Sequence, residues 1–441
     1  MRMSVIGCGY LGAVHAAAMA SIGHDVVGID TDEAKVCALA AGTAPFFEPG
    51  LSEILQTGVA GHNLRFTTDI RAAAGSDVHF VSVGTPQQAG GYAADLTYVD
   101  AAMDGLLPHL RPGDVVAGKS TVPVGTAAGL ARRVRDTGAT LAWNPEFLRE
   151  GWAVKDTIDP DRIVVGVETV DGSPTEHGAR AIEQLRDAYR PAVEKQTPFL
   201  VTDYATAELV KVAANAFLAT KISFINAMAE ISEATGADVT LLADAIGHDG
   251  RIGRRFLGAG IGFGGGCLPK DIRAFAARAE ELGRSESVAF LREMDAINLR
   301  RRERAVQLVL EALDGSVHGK RIAVLGASFK PHSDDIRDSP ALDVAVRLHG
   351  LGGQVVVTDP AALDNARRVH PHLTYIDDRD AALRDADVVV LVTEWDEYRR
   401  QMPPEHAASL VRGKVVVDGR NCLDAAAWRA AGWRYFGMGR P

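Results

Sequence analysis

Met3-Ser4-Val5-Ile6-Gly7-Cys8-Gly9-Tyr10-Leu11-Gly12 decides the fold. A short β-rich run enters a G-x-G-x-x-G, and an alanine-rich stretch of helical character, residues 13–22, follows. Strand, glycine turn and helix N-terminus in that order form a phosphate-binding corner. Gly7 allows the tight turn, Gly9 lets the backbone approach a pyrophosphate, and Gly12 lets the helix pack close on the strand. Asp30 ends the second predicted strand, 18 residues after Gly12. An acid there accepts hydrogen bonds from the adenosine ribose hydroxyls and repels a 2′-phosphate, which predicts NAD rather than NADP.

Outward from this corner the chain alternates. Strands are predicted at 3–6, 26–29, 78–83, 115–119, 140–143 and 163–167, with helical stretches such as 126–135 between them. Apolar strands alternating with helices indicate a parallel sheet covered on both faces. Two strand ends, Ser82-Val83-Gly84-Thr85-Pro86 and Lys119-Ser120-Thr121-Val122-Pro123, offer small hydroxyl residues where such sheets bind ligands. The middle of the chain then turns helical: a long helix over 204–235, another over 239–246, a glycine-rich loop at 247–266, and helices at 272–282 and 288–313. From residue 320 the alternation returns, with strands at 322–325, 355–358, 388–392 and 415–417 and a helix at 341–351. The expected architecture is α/β: two Rossmann-like doubly wound domains, 1–200 and 316–441, joined by a central helical region, 201–315, that carries a cysteine loop.

A chain of 441 residues has room for two or three domains. Its net charge of −10 argues against nucleic acid as a partner. The basic run Arg300-Arg301-Arg302 and Arg304 is interrupted by Glu303 and suits a solvated helix face. No uninterrupted apolar run approaches the roughly 18 residues of a membrane span, and the N-terminus runs straight into a strand, without the pattern of a secretory signal. The four cysteines, Cys8, Cys37, Cys267 and Cys422, have no metal-ligand spacing, so no metal is expected. A reduced, cytoplasmic setting is the default expectation.

The last domain opens with Arg321-Ile322-Ala323-Val324-Leu325-Gly326-Ala327-Ser328-Phe329-Lys330, again a strand but without the glycine fingerprint. Lys330 and Arg337 near the strand end suit a phosphate-bearing ligand such as a nucleotide diphosphate, or equally a solvated basic loop.

The most informative stretch is Gly262-Phe263-Gly264-Gly265-Gly266-Cys267-Leu268-Pro269-Lys270-Asp271. Pro269 suits the first position of a helix. A thiol at a helix N-terminus beside a lysine has its pKa lowered from about 8.5, and the three glycines are expected to leave room for a substrate. A dehydrogenase needs such a thiolate when it carries an aldehyde on to an acid. The aldehyde carbon has no alcohol from which hydride can leave until a nucleophile adds. Lys211 and Asn215, four residues apart on the long helix, share a face and can stabilise a developing oxyanion.

Together these motifs resemble the UDP-glucose/GDP-mannose dehydrogenases over essentially the whole chain. The resemblance rests on Gly7 to Gly12, on Asn144-Pro145-Glu146-Phe147-Leu148-Arg149-Glu150-Gly151, on Lys211 and Asn215, on Gly264 to Asp271, and on Phe329-Lys330-Pro331 with Asp334-Asp335-Ile336-Arg337. It implies an NAD-dependent, four-electron oxidation of a nucleotide sugar by a homodimer. It implies Cys267 as nucleophile, Lys211 and Asn215 as stabilisers of oxygen anions, Asp271 and Thr121 as organisers of the water, and Glu150 as an acid/base. NAD contacts implied are Tyr10, Leu11, Asp30, Lys35, Thr85, Thr121, Glu150, Lys270 and Arg337. Nucleotide-sugar contacts implied are Phe147, Leu148, Arg149, Glu150, Gly151, Lys211, Asn215, Gly258 to Gly264 (Gly260 among them), Phe329, Lys330 and Arg420. Arg251 is similar to an arginine that reaches the neighbouring subunit's sugar. The Arg251 context and Phe256-Leu257-Gly258 lean toward UDP-glucose, oxidised to UDP-glucuronate. GDP-mannose, a UDP-N-acetylhexosamine, or a non-catalytic nucleotide sensor are the alternatives. Two positions depart from the family pattern: Gly266, where a serine often precedes the cysteine, and Ala227, where Asn-Glu is frequent.

Overall fold

Every β-rich run singled out in the sequence forms a strand. The computed structural model describes residues 1–441, in two units: Met1–Ala214 with Ala277–Gly283, and Asn215–Ala276 with Arg284–Pro441.

The first unit is built on a sheet of eight strands: β1 (Arg2–Ile6), β2 (Asp25–Ile29), β3 (Leu64–Thr67), β4 (Val78–Val81), β5 (Val115–Gly118), β6 (Thr140–Trp143), β7 (Ile163–Val167) and, after a small hairpin β8 (Thr169–Val170) and β9 (Ser173–Pro174), β10 (Phe199–Asp203). The order is β10-β7-β6-β5-β4-β1-β2-β3. All neighbours are parallel except β6 and β7, which meet antiparallel at Trp143 and Gly166. Successive residues of a strand face opposite sides, and both sides are buried here. On β5, Val115 and Ala117 pack into one core with Met19, Leu39 and Leu185, while Val116 packs into the other with Met103, Leu130 and Trp143. Each fully buried side chain of this kind contributes roughly 1.5–3 kcal/mol. This is why the strands read as continuous apolar runs rather than alternating ones.

The second unit has six parallel strands, β11 (Arg321–Leu325), β12 (Gln354–Thr358), β13 (Thr374–Tyr375), β14 (Val388–Leu391), β15 (Val415–Asp418) and β16 (Arg434–Gly437), in the order β13-β12-β11-β14-β15-β16. This is the doubly wound order 3-2-1-4-5-6. Ile322 and Val324 face one core and Ala323 and Leu325 the other.

No strand lies between β10 and β11. The helices Tyr204–Thr235, Val239–Gly247, Leu268–Glu281 and Ala289–Ala312 fill that interval. By length and composition the first of them would suffice to cross a membrane, with a mean hydropathy of 1.3 in its most apolar window. Uninterrupted apolar runs do not reveal this, because isolated polar residues break the helix's sequence. Two of those residues are buried and bonded inside the fold: Glu208 accepts from the amides of Gly125 and Ala127, and Asn226 accepts from Gly260. Such contacts belong to a core helix.

Candidate active site

The glycine corner has the expected geometry. Gly7 has φ +89°, and a Cβ on Gly12 would lie 1.8 Å from the Gly7 carbonyl oxygen, so neither position accepts a side chain. A Cβ on Gly9 would meet nothing within 4 Å, which leaves that face open to a ligand. The helix Tyr10–Ser21 starts immediately beyond. Asp30 Oδ2 accepts from the Cys8 amide at 2.8 Å, and Lys35 Nζ lies 3.0 Å from both carboxylate oxygens. An open corner with a carboxylate pinned to its rim fits a dinucleotide whose ribose hydroxyls are free. Thr85 Oγ1 donates to the Thr121 carbonyl at 2.8 Å, and Ser120 Oγ donates to the Val83 carbonyl at 2.7 Å. The two strand-end loops are thus tied to each other.

Residues 144–153 follow β6 and are held from several sides within the same unit. Asn144 is buried, donates to the Val164 carbonyl at 2.9 Å and accepts from the Tyr189 hydroxyl at 2.7 Å. Lys119 Nζ lies 3.1 Å from Asn144 Oδ1, 3.1 Å from the Tyr189 oxygen and 3.2 Å from Glu146 Oε2. Burial works against the Lys119 charge, but Glu146 and Tyr189 outweigh it and its pKa is raised. Glu146 Oε1 accepts from the amides of Phe147 and Leu148 at 2.7 and 2.9 Å. The Phe147 ring carries the Arg162 guanidinium at 4.0 Å and the Lys211 ammonium at 5.6 Å. Arg149 is engaged by Asp156 through Nε and Nη2 at 2.8 and 2.6 Å. Glu150 is buried. Beyond it, Glu48 Oε2 accepts from the Gly151 amide at 2.6 Å and Oε1 from the Ala153 amide at 2.7 Å, and the Tyr10 hydroxyl donates to Glu48.

In the second unit Cys267 is exposed at the N-terminal boundary of the helix Leu268–Glu281. Its carbonyl accepts the Asp271 amide at 2.9 Å, so it occupies the capping position. Leu268, not Pro269, is the first helical residue. Proline falls second, where its missing N–H still costs nothing. Asp271 is buried. Its Oδ2 accepts from Asn215 Nδ2 at 2.7 Å, and its Oδ1 lies 2.5 Å from the Lys270 ammonium. The charge of Lys270 is therefore shared with Asp271 rather than directed at the thiol alone.

The glycines before Cys267 serve a purpose different from the expected one. A Cβ on Gly264 would lie 2.2 Å from the Asp338 carbonyl oxygen, one on Gly265 2.7 Å from the Phe329 ring, and one on Gly266 2.2 Å from the Arg337 guanidinium. The space next to them is taken by the segment after β11, so they allow that segment to pack against the loop rather than a substrate to enter. The Gly265 amide donates to the Arg337 carbonyl at 2.8 Å. Arg337 itself is paired with Asp335. Arg420 donates to the carbonyls of Gly262 at 2.7 Å, Val392 at 2.8 Å and Phe329 at 3.1 Å. Lys330 Nζ lies 5.3 Å from the Phe329 ring. Asn298, fully buried, receives the Phe263 amide at 2.7 Å and donates to the Phe263 carbonyl at 2.9 Å. Leu257 is buried in a core with Ile225 and Val239, Phe256 is partly exposed, and Arg251 projects into solvent paired with Asp249 of its own loop.

Family comparison agrees along the chain. The NAD binding domain of the UDP-glucose/GDP-mannose dehydrogenase family matches residues 1–244, the central domain 205–300 and the UDP binding domain 323–425. The chain belongs to this family. Among its relatives, the UDP-glucose 6-dehydrogenase of Rhizobium meliloti is 42% identical over 446 residues, covering 100% of both chains. The UDP-glucose 6-dehydrogenase TuaD of Bacillus subtilis is 40% identical, covering 100% of this chain and 93% of the relative. The structure is similar to that of a UDP-glucose dehydrogenase from Pyrobaculum islandicum, with TM-score 0.88, 39% identity, and coverage of 100% and 98%. A UDP-D-ManNAc dehydrogenase from Pyrococcus horikoshii superposes with TM-score 0.84 at 27% identity, with coverage of 100% and 99%. As a member of the UDP-glucose/GDP-mannose dehydrogenase family the protein is an NAD-dependent oxidoreductase, and the glycine corner lies in its NAD binding domain.

Lys119, Glu146, Glu48 and Asn298 have structural roles that no expectation from the sequence covers. Lys119 and Glu146 both stand inside motifs that the sequence singles out, and for Lys119 a charged residue directly after an apolar strand is the signal. Glu48 and Asn298 carry no such signal.

Proposed function

We propose that this dehydrogenase oxidises UDP-glucose to UDP-glucuronate through a covalent thioester on Cys267. The observation that carries the reading is an exposed cysteine capping a helix one turn before a buried aspartate that is bonded to both Asn215 and Lys270. The relatives named UDP-glucose 6-dehydrogenase, at 40–42% identity over the full chain, support the sugar nucleotide. The domains divide the work: 1–200 for NAD, 201–315 for the cysteine loop, 316–441 for the UDP moiety.

NAD, held by Gly7 to Gly12, Asp30 and the Thr85 and Thr121 loops, supplies the hydride acceptor for both oxidations. The C6 alcohol first gives up its hydride and its proton to become an aldehyde, with Glu150 and the Thr121 water as proton acceptors. The Cys267 thiolate then adds to the aldehyde carbon, forming a C–S bond and an alkoxide that Lys211 and Asn215 stabilise. Loss of the second hydride leaves the thioester. Water positioned by Asp271 adds to it, the C–S bond breaks, the thiolate is restored, and the water oxygen becomes the second oxygen of the acid.

The active species in this reading is a cytoplasmic homodimer. Phe217, Phe224 and Ile231 recur every seventh residue on the helix Tyr204–Thr235 and are 66%, 48% and 59% exposed, an apolar stripe suited to a second copy of the same helix. Arg251, extended into solvent, serves the partner's sugar.

NADH absorbance measured with UDP-glucose, GDP-mannose and UDP-N-acetylmannosamine tests the assignment. Two NADH per UDP-glucose consumed, with the other sugars far slower, is expected. Preference for UDP-N-acetylmannosamine or GDP-mannose would overturn the substrate, and one NADH per sugar would overturn the four-electron chemistry.

A further inference from the structure

We infer that Glu48 is a positioning residue that couples the filling of the dinucleotide corner to the order of residues 150–153. The inference deepens the proposed function, because it rests on assigning the segment around Glu150 to the substrate. Glu48 is only 6% exposed, and both of its oxygens are in use. Oε1 accepts from the Ala153 amide, while Oε2 accepts from the Gly151 amide and from the Tyr10 hydroxyl. The Tyr10 oxygen also receives the Gly151 amide, at 3.1 Å. The helix Ala153–Ile158 gets no side-chain cap from its own boundary residue, Trp152, so Glu48 supplies that cap from 105 residues away.

Tyr10 opens the helix that follows the glycine turn. Its amide and that of Leu11 are the donors a pyrophosphate takes at such a corner. A bound pyrophosphate fixes the Tyr10 backbone, the backbone fixes the ring, and the hydroxyl fixes the carboxylate that holds Gly151 and Ala153. The Tyr10 ring has little freedom of its own, lying 4.7 Å from the Phe46 ring. Burial and the bond to Glu48 raise its pKa, so it stays a donor at any working pH. The chain thus carries a continuous set of hydrogen bonds from the cofactor turn to the residues flanking Glu150. Substrate-binding backbone is held more firmly when the cofactor is in place.

Hydrogen exchange read on a peptide spanning 148–155, with and without saturating NADH, tests this in the unmodified chain, Tyr10→Phe and Glu48→Gln. NADH fluorescence confirms saturation in each. NADH should slow exchange at least about fivefold in the unmodified chain and less than about twofold in either variant. A merely structural role would raise exchange equally with and without NADH. Protection by NADH that persists in both variants overturns the inference, and so does its absence in the unmodified chain once NADH is bound. Should Glu48→Gln fail to fold, Tyr10→Phe, which loses one oxygen, decides alone. Failure of NADH to bind the unmodified chain would instead strike the cofactor assignment, which is a separate result.

Discussion

Asn215 donates its side-chain amide to Asp271 across 2.7 Å, and both residues are buried. Lys270 Nζ lies against the other oxygen of Asp271. Asn215→Asp would set two carboxylates against each other away from water. We expect a loss of about 3 kcal/mol in urea unfolding at neutral pH and a fall in kcat of about a hundredfold or more from the missing oxyanion donor. An unfolding midpoint equal to that of the unmodified protein would show that the pair does not form.

Asp30 is held between the Cys8 amide and Lys35. Asp30→Ala removes the charge that repels a 2′-phosphate and leaves Lys35 to attract it. The preference for NAD over NADP in kcat/KM should narrow by about tenfold, equivalent to ~1.4 kcal/mol. Equal use of both cofactors by the unmodified enzyme would sink this role.

Cys267→Ala should abolish acid formation while permitting a slow first oxidation, which needs no sulfur. Cys267→Ser offers a weaker nucleophile and a more slowly hydrolysed ester. If the serine attacks, intact-protein mass should rise by the sugar-nucleotide acyl group. Near-normal acid production by both variants would reduce Cys267 to a structural part.

Arg251 pairs with Asp249 of its own loop, and its side chain is 90% exposed. If it serves the partner's site, an Arg251→Ala chain mixed with a Cys267→Ala chain should recover activity, since one composite site in the hybrid is intact. Hybrid dimers confirmed by native mass but inactive would refute a shared site.

Asp418 is fully buried, and burial raises its pKa above the ordinary 3.8 despite bonds from Leu423, Arg420 and Tyr435. A carboxyl whose folded pKa is raised contributes stability below its unfolded pKa and loses it as pH climbs through the folded value. Asp418→Asn, neutral throughout, should therefore gain in Tm relative to the unmodified protein as pH rises above the ordinary 3.8. A pH-independent difference between the two would contradict the shift.

The sequence made the long helix Tyr204–Thr235 and most central strands legible, because each satisfies a local rule: few breakers, or a continuous apolar run between turns. It concealed β10, whose Leu200 and Val201 are 50% and 39% exposed, because an edge strand buries too little to leave an apolar signature. Within the site, Cys267 and Asp271 were visible through a glycine-rich run and a helix start. Their setting was not. Asn215 meets Asp271 across 56 residues and Glu48 meets Gly151 across 103, and a contact at such separation leaves no local pattern. The glycines before Cys267 show the same limit. A gap in side chains is evident from sequence, but Asp338, Phe329 and Arg337 as its occupants are not.

The antiparallel junction of β6 and β7 fixes a length. Since β10 runs with β7, the chain leaves β10 at Asp203 on the edge opposite the glycine corner and enters the long helix with no loop. Lys211 stands seven residues beyond Tyr204, about 10 Å along the axis at 1.5 Å per residue, close to the span of a four-residue strand. That climb delivers the ammonium to Phe147, which follows β6 at the corner's own edge. Phase matters as much as height. One residue inserted between Tyr204 and Lys211 would swing the ammonium about 100° around the axis, so this stretch can vary in side chains far more readily than in number of residues.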